Sequence, residues 1–245
     1  YSYTPVLDLD YGGSTVIGDR AFSPSAEVVA MLAKALLHGM LRGGMVGCGK
    51  HFPGHGFVVA DSHVDMPVDQ RSLKRILSDD VLPYAALTQD LGAVMPAHVI
   101  YPKVEPSPAG FSKIWLGILR EQLQFHGAIV TDDLSMAGAA MIYPDPVQRV
   151  RAALDAGCDM AMVCNRPQDL DVALDGLPKN YLRRTQNKVN ARRINGLRGR
   201  GVALGWNDLQ KDADFQSARR TIALYIRNAD GQVVADPTEI MLKKR

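Results

Sequence analysis

Cysteine is scarce in this chain. There are three, Cys48, Cys158 and Cys164, an odd number with no Cys-x-x-Cys pair. No disulfide framework can be read from them, and buried reduced thiols in a cytosolic protein fit best. Charge of one sign is also missing. The formal net charge is +2, too near neutral to make nucleic acid or a membrane surface the main partner. No apolar run is long enough to span a bilayer, and nothing has the build of a signal peptide. No Gly-x-Gly-x-x-Gly follows the first strand-like run. No initiator methionine or capped helix precedes Pro5-Val6-Leu7-Asp8-Leu9-Asp10. This abrupt start leads us to expect that N-terminal residues are missing from the sequence.

What remains is ordinary for a soluble globular domain: 245 residues, 47% hydrophobic and 22% charged, a core that needs no disulfide staples. Apolar runs alternate with helical patterns. Strands are expected at Val6–Leu9, Val46–His51, Gly92–His98, Ala128–Asp133 and Met160–Cys164. Helices are expected over Pro24–Leu41 with Ser23 as N-cap, over Ser72–Leu91 with a kink at Pro83, and over Lys113–Phe125, Val147–Ala156 and Gln168–Leu174. Strand, loop and helix repeating in this way predict a parallel sheet with helical crossovers. Every predicted strand ends in polar residues: Asp8 and Asp10, Lys50 and His51, His98, Asp132 and Asp133, Asn165. In an open doubly wound sheet only the strands at the switch point need them, whereas in a closed barrel every strand end faces one pocket. The reading is therefore an α/β chain of TIM-type (β/α)8 barrel class, with about three strands preceding Tyr1. Residues 1–178 would form the C-terminal part of that barrel. Residues 179–245 would form a basic helical tail packing on it, with Tyr181–Arg200 a solvated helix face.

The densest chemistry lies in Lys50-His51-Phe52-Pro53-Gly54-His55-Gly56 and the following Asp61-Ser62-His63. Glycine and proline end the strand and carry the polar groups onto the loop leaving it. Asp61 and His63 read either as a dyad, the carboxylate orienting the imidazole and raising its proton affinity, or as two solvated loop residues. Lys50 and His51 read as ligands of sugar or phosphate, or as a snorkelling lysine and a satisfied core histidine. His98 has the same bland alternative, and Cys48 reads as packing. Asp132 ends an apolar strand, where it could attack an electrophilic carbon. Asp132 or Asp133 could equally cap the turn before Leu134-Ser135-Met136. A metal site of His51, His55, Asp61 and His63 is conceivable, but its spacing matches no strong zinc pattern.

These motifs, with Val130-Thr131-Asp132-Asp133-Leu134-Ser135-Met136, resemble the bacterial β-N-acetylglucosaminidases of glycoside hydrolase family three. Pro5–Asp10, Ile17–Phe22, Met95–Tyr101 and Asp155–Met160 are similar to the same pattern, and the resemblance runs from Pro5 to Asn165. It implies a cytoplasmic TIM-type barrel that removes terminal β-linked GlcNAc from GlcNAc-1,6-anhydro-MurNAc and its peptides during cell-wall recycling. It implies Asp132 as nucleophile, His63 as proton donor and acceptor, and Asp61 as the residue orienting His63. Lys50, His51 and Arg20 would bind the sugar. The partners implied are a muropeptide or GlcNAc-containing disaccharide, with no nucleic acid, membrane, metal or cofactor, in a monomer. Two other readings remain: a phosphorylase using the same nucleophile, and a sugar-binding barrel without catalysis.

Overall fold

Between Cys48 and Met162 four parallel strands line up in the order in which the chain makes them, as the computed structural model shows. The structure describes residues 1–59, 66–181, 187–201 and 204–225. It divides into two compact units, Tyr1–Arg200 and Gly201–Arg245.

The first unit opens with an extended segment rather than a regular strand. Ser2 bridges Gly47 and Val6 bridges Lys50, both in parallel. The Cys48 amide donates to both Ser2 O and Thr4 O, so two residues of this segment oppose one and the ladder is irregular. Helix α1, Ala26–Arg42, follows. Its N-cap is Ser25, whose hydroxyl accepts from the Val28 amide, whereas Ser23 takes the Ser25 amide. Val29, Ala33 and Leu37 make its buried stripe.

Strand β1 is Cys48–Phe52. The single helix expected over Ser72–Leu91 is two: α2, Leu73–Ser78, and α3, Leu82–Leu87, with Pro83 in the first turn of the second. A proline tolerated at a helix start ends a helix elsewhere. Strand β2, Ala93–Pro96, leads to a small hairpin of β3, Ile100–Tyr101, and β4, Glu105–Pro108. Helix α4, Lys113–Gly117, runs into a π turn at Ile118–Gln122. Strand β5 is Ala128–Asp133. Helices α5, Ala137–Ala140, and α6, Pro146–Ala156, follow. Asp145 caps α6, and Gly157 ends it at φ 125°, where a side chain would be strained. Strand β6, Met160–Met162, and helix α7, Pro167–Gly176, complete the alternation.

Helix α8, Asn187–Asn195, belongs to the first unit. Its Arg193 reaches Asp159 at 3.1 Å, beside Arg120 at 2.5 Å. The basic run is thus not wholly a solvated face: Asp159 is nearly fully buried, and a buried carboxylate demands cationic partners. The second unit holds α9, Trp206–Leu209, and α10, Ala213–Tyr225, whose Phe215 amide is capped by Asp212. No described helix is long and apolar enough to cross a membrane.

The sheet separates two apolar layers. One holds Leu7, Val94 and Ile129 with the helices outside them, and Phe52 joins it only past the register shift between Lys50 and Phe52. The other holds Cys48, Ala93, Met95, Ala128 and Val130, with Leu197 among them and Met160 and Met162 beside them. This is strand alternation seen across four strands at once. Register pairs Lys50 with Met95 and Val130 with Met160. Lys50 and Asp132 come after Cys48 and Val130 at the C-terminal edge, where both strands shift register.

Candidate active site

At that edge the two aspartates of β5 part company. The Asp133 carboxylate accepts from the Ser135 amide at 2.9 Å and hydroxyl at 2.6 Å, the Cys164 amide at 2.9 Å and Asn165 Nδ2 at 2.6 Å. It joins the end of β5 to the turn after β6. Partial burial works to raise its pKa, and these donors, led by Ser135, hold it below the usual carboxylate range. Asp132 accepts one hydrogen bond among the described residues, from the Asp133 amide at 2.8 Å. Burial again works to raise its pKa. His51 first, then other neighbours including that amide and Lys50, bring it below the ordinary value. Asp132 is therefore an ionised carboxylate at neutral pH.

His51 is held from behind. Asp8, with no solvent exposure, meets His51 Nδ1 at 2.8 Å and accepts from the His51 amide at 3.1 Å and the His55 amide at 2.7 Å. Burial would raise the Asp8 pKa, but His51 and then the His55 amide lower it. With Nδ1–H on the carboxylate, His51 turns its Nε2 edge away from Asp8. Gly56 makes this approach possible: a Cβ there would lie 1.9 Å from Leu9 O. At Gly54 it would lie 2.5 Å from the Asp80 carboxylate.

The other sequence candidates sort as follows. Lys50 is partly buried, and its charge acts on both Cys48 and Asp132. Cys48 is packing: burial pushes its thiol up to about 12. His98 is a core histidine, its Nε2 donating to Asp133 O at 3.2 Å and its ring stacked on Phe111. Burial lowers its pKa, so it stays neutral. Arg20 is exposed on a 3-10 turn, Gly18–Arg20, and donates to Val16 O from Nε at 3.1 Å and Nη2 at 2.5 Å. Asp61 and His63 lie outside the described residues. Among the described residues no group of three or more His, Cys, Asp or Glu is placed to hold a metal ion.

Sequence reasoning took Asp8 for a strand-end acid and missed it as the partner of His51. Polar ends of adjacent parallel strands meet at one edge, but which of them pair depends on register between segments, which the sequence does not show. It also missed a cluster of Tyr11, Asp69, Arg71 and Asp80. Arg71 binds Asp69 and Asp80, each at 2.7 Å, and Tyr11 donates to Asp80 at 3.0 Å. No local motif announces four residues so scattered.

Comparison with known proteins gives the family. Residues 1–195 match the family described as Glycosyl hydrolase family 3 N terminal domain. A Beta-hexosaminidase of Bordetella parapertussis is 53% identical over 221 residues, 89% of this chain and 61% of its own length. The crystal structure of native NagZ from Neisseria gonorrhoeae aligns with a TM-score of 0.78 at 44% identity, over 89% of this chain and 61% of that one. The same NagZ in complex with N-trifluoroacetyl-D-glucosamine aligns with a TM-score of 0.76 at 44% identity, with the same coverage. The chain thus spans about three fifths of the length of these relatives. With its parallel α/β sheet and the polar groups gathered at that sheet's C-terminal edge, the chain belongs to glycoside hydrolase family 3.

Proposed function

We propose that this chain carries the catalytic face of a retaining β-N-acetylglucosaminidase. The sheet is read as part of a closed (β/α)8 barrel, and the activity as removal of terminal β-linked GlcNAc from GlcNAc-1,6-anhydro-MurNAc and its peptides in cytoplasmic cell-wall recycling. One observation carries the reading: of two adjacent carboxylates, Asp133 is consumed by four donors, and Asp132 stays ionised with His51 and Lys50 among its neighbours. The Beta-hexosaminidase name of the Bordetella relative and the glucosamine derivative bound to the gonococcal NagZ support the substrate class.

Asp132 attacks the anomeric carbon, and the bond to the leaving oxygen breaks as the glycosyl ester forms. His63, as imidazolium, gives that oxygen a proton. As imidazole, it then takes one from the water that opens the ester and regenerates Asp132. Asp61 keeps the ring oriented and its proton affinity near neutrality. Lys50, Arg20 and the Nε2 edge of His51 hold sugar hydroxyls, bonds that strengthen as charge develops. A 2-fluoro GlcNAc donor with a good leaving group tests the scheme. It should leave its ester on Asp132 in the digested protein, and a label on Asp133 or elsewhere overturns the assignment.

A further inference from the structure

The segment that carries Asp61 and His63 leaves β1 and returns to β3, and both of its ends are fixed to one place. On the leading side, Phe52 O accepts from the Ala97 amide at 2.8 Å. Gly54 O accepts from the buried Tyr101 hydroxyl at 2.8 Å. On the trailing side, the Asp69 amide donates to Ile100 O at 2.8 Å, and the Ile100 amide to Pro67 O at 3.0 Å. One side chain then joins the two ends to each other. The Arg71 guanidinium lies 4.2 Å from the Phe57 ring centroid and 5.0 Å from that of Tyr11. Four of its five N–H groups are spent on its edge: Nε lies 3.1 Å from Asp69 Oδ1 and 3.0 Å from Oδ2, Nη2 donates to Asp69 Oδ2 at 2.7 Å, and Nη1 donates to Asp80 at 2.7 Å and Tyr11 Oη at 2.9 Å.

We propose that Arg71 is a positioning residue for His63, acting by tying Phe57 on the leading end to Asp69 on the trailing end. The inference rests on the reading of His63 as acid and base given above. Three physical points lead to it. First, closing the ends of a chain segment removes conformations from everything between them, and the residues between Phe57 and Asp69 include the dyad. Second, burying an arginine between two carboxylates is a poor way to gain stability, since a packed apolar trio serves as well. What a planar fork adds is fixed geometry. Here it holds two carboxylates with one edge and a ring with its face. Third, four of its five N–H groups are spent on Asp69, Asp80 and Tyr11, so what Arg71 mainly supplies is placement.

The test compares leaving groups in the full-length protein. kcat/KM reports formation of the glycosyl-enzyme, where a natural sugar leaving group needs a proton and a dinitrophenolate does not. Rates are counted per active site titrated with the 2-fluoro donor, so a merely unfolded fraction drops out. Lysine keeps the charge but can neither fork nor stack. Arg71→Lys is expected to lower kcat/KM on the disaccharide about a hundredfold, the scale of a displaced general acid, and on the dinitrophenyl glycoside less than about fivefold. Phe57→Ala cuts the tie on a half-exposed residue and leaves the Asp69–Arg71–Asp80 network standing, so it folds even if the arginine variant does not. It should show the same split, about tenfold on the disaccharide. Equal losses on the two substrates in both variants, or no loss in either, overturn the inference. His63→Ala separates the two levels. A leaving-group split there without one in the Arg71 and Phe57 variants overturns the positioning role alone. No split in His63→Ala overturns the reading of His63 and this inference with it.

Discussion

Asp8 and His51 are 43 residues apart in sequence, yet the carboxylate of one lies 2.8 Å from Nδ1 of the other. The pair joins the extended N-terminal segment to β1, and it fixes which edge of the imidazole faces the site. Asp8 is wholly buried, and its pKa is lowered because His51 and the His55 amide together outweigh the burial that would raise it.

Asp8→Asn therefore has a pH signature. A carboxylate whose folded pKa lies below its unfolded value contributes stability that is complete above the unfolded pKa, about 3.9 for aspartate. That stability is lost as the pH falls from there through the folded pKa. The variant should be less stable than the parent by about 3 kcal/mol at pH 7, with the gap closing below about pH 4. Thermal melts of both proteins across that range measure it. A gap that stays constant down to pH 2 would mean that the carboxylate charge is not what holds His51.

Asp132 and Asp133 should fail in opposite ways. Asp132→Ala removes one hydrogen bond among the described residues and a partly buried charge, so Tm should hardly move, while turnover falls more than about a thousandfold as the covalent route is lost. Asp133→Ala strips four donors of their acceptor. It should cost about 3 kcal/mol, seen as several degrees of Tm. Melting and turnover on the same preparations decide between them, and an Asp133→Ala protein as stable as the parent refutes the structural role.

How much of this was legible in the sequence depends on the range of the interaction. Ala128–Asp133 stands where the sequence predicts a strand, because six residues of apolar run ending in acids need no partner to be seen. Helix α6 was equally plain, since Gly157 closes it. The hairpin of β3 and β4 was not, because Glu105-Pro106-Ser107-Pro108 carries two prolines, which speak against a strand. The split at Pro83 was half visible: the proline was noted, but only burial of Pro83, Tyr84 and Leu87 together gives the second helix its own direction. At the site, the strand-end positions of Lys50, His51 and Asp132 could be read from apolar runs that end in polar residues. The pairing of Asp8 with His51 could not, because it depends on register between segments.

Two glycines should respond differently to the same methyl group. At Gly56 a Cβ would sit 1.9 Å from Leu9 O, so Gly56→Ala must push the loop off the segment that carries Asp8. A loss of about 3 kcal/mol is expected, with activity falling as His51 is released. At Gly39, inside α1, nothing lies within 4 Å of the added Cβ. Gly39→Ala should stabilise by about 0.5–1 kcal/mol through helix propensity alone. Denaturant midpoints of the two variants make the comparison. A neutral Gly56→Ala would show that the close approach of the two segments is not obligatory.

The dyad can be judged by what it does to chemistry. If Asp61 orients and charges the His63 imidazole, Asp61→Asn leaves the ring in place but lowers its proton affinity. Stability should change by less than about 0.5 kcal/mol, as for most loop substitutions, while turnover of the natural disaccharide falls about a hundredfold. The loss should shrink as the leaving group improves, because a stable phenolate departs without a proton. His63→Ala should lose more on the disaccharide and follow the same trend. A metal site built on His51, His55, Asp61 and His63 makes the contrary prediction: a chelator would inactivate the parent protein and zinc would restore it. Measured side by side on one substrate series, the two ideas cannot both survive. Should Asp61→Asn and His63→Ala both leave disaccharide hydrolysis intact, the proton must come from another group at the C-terminal edge of the sheet. His51 would then be the first to test, since its Nδ1 is already held by Asp8 and only its Nε2 remains to carry a proton toward the sugar.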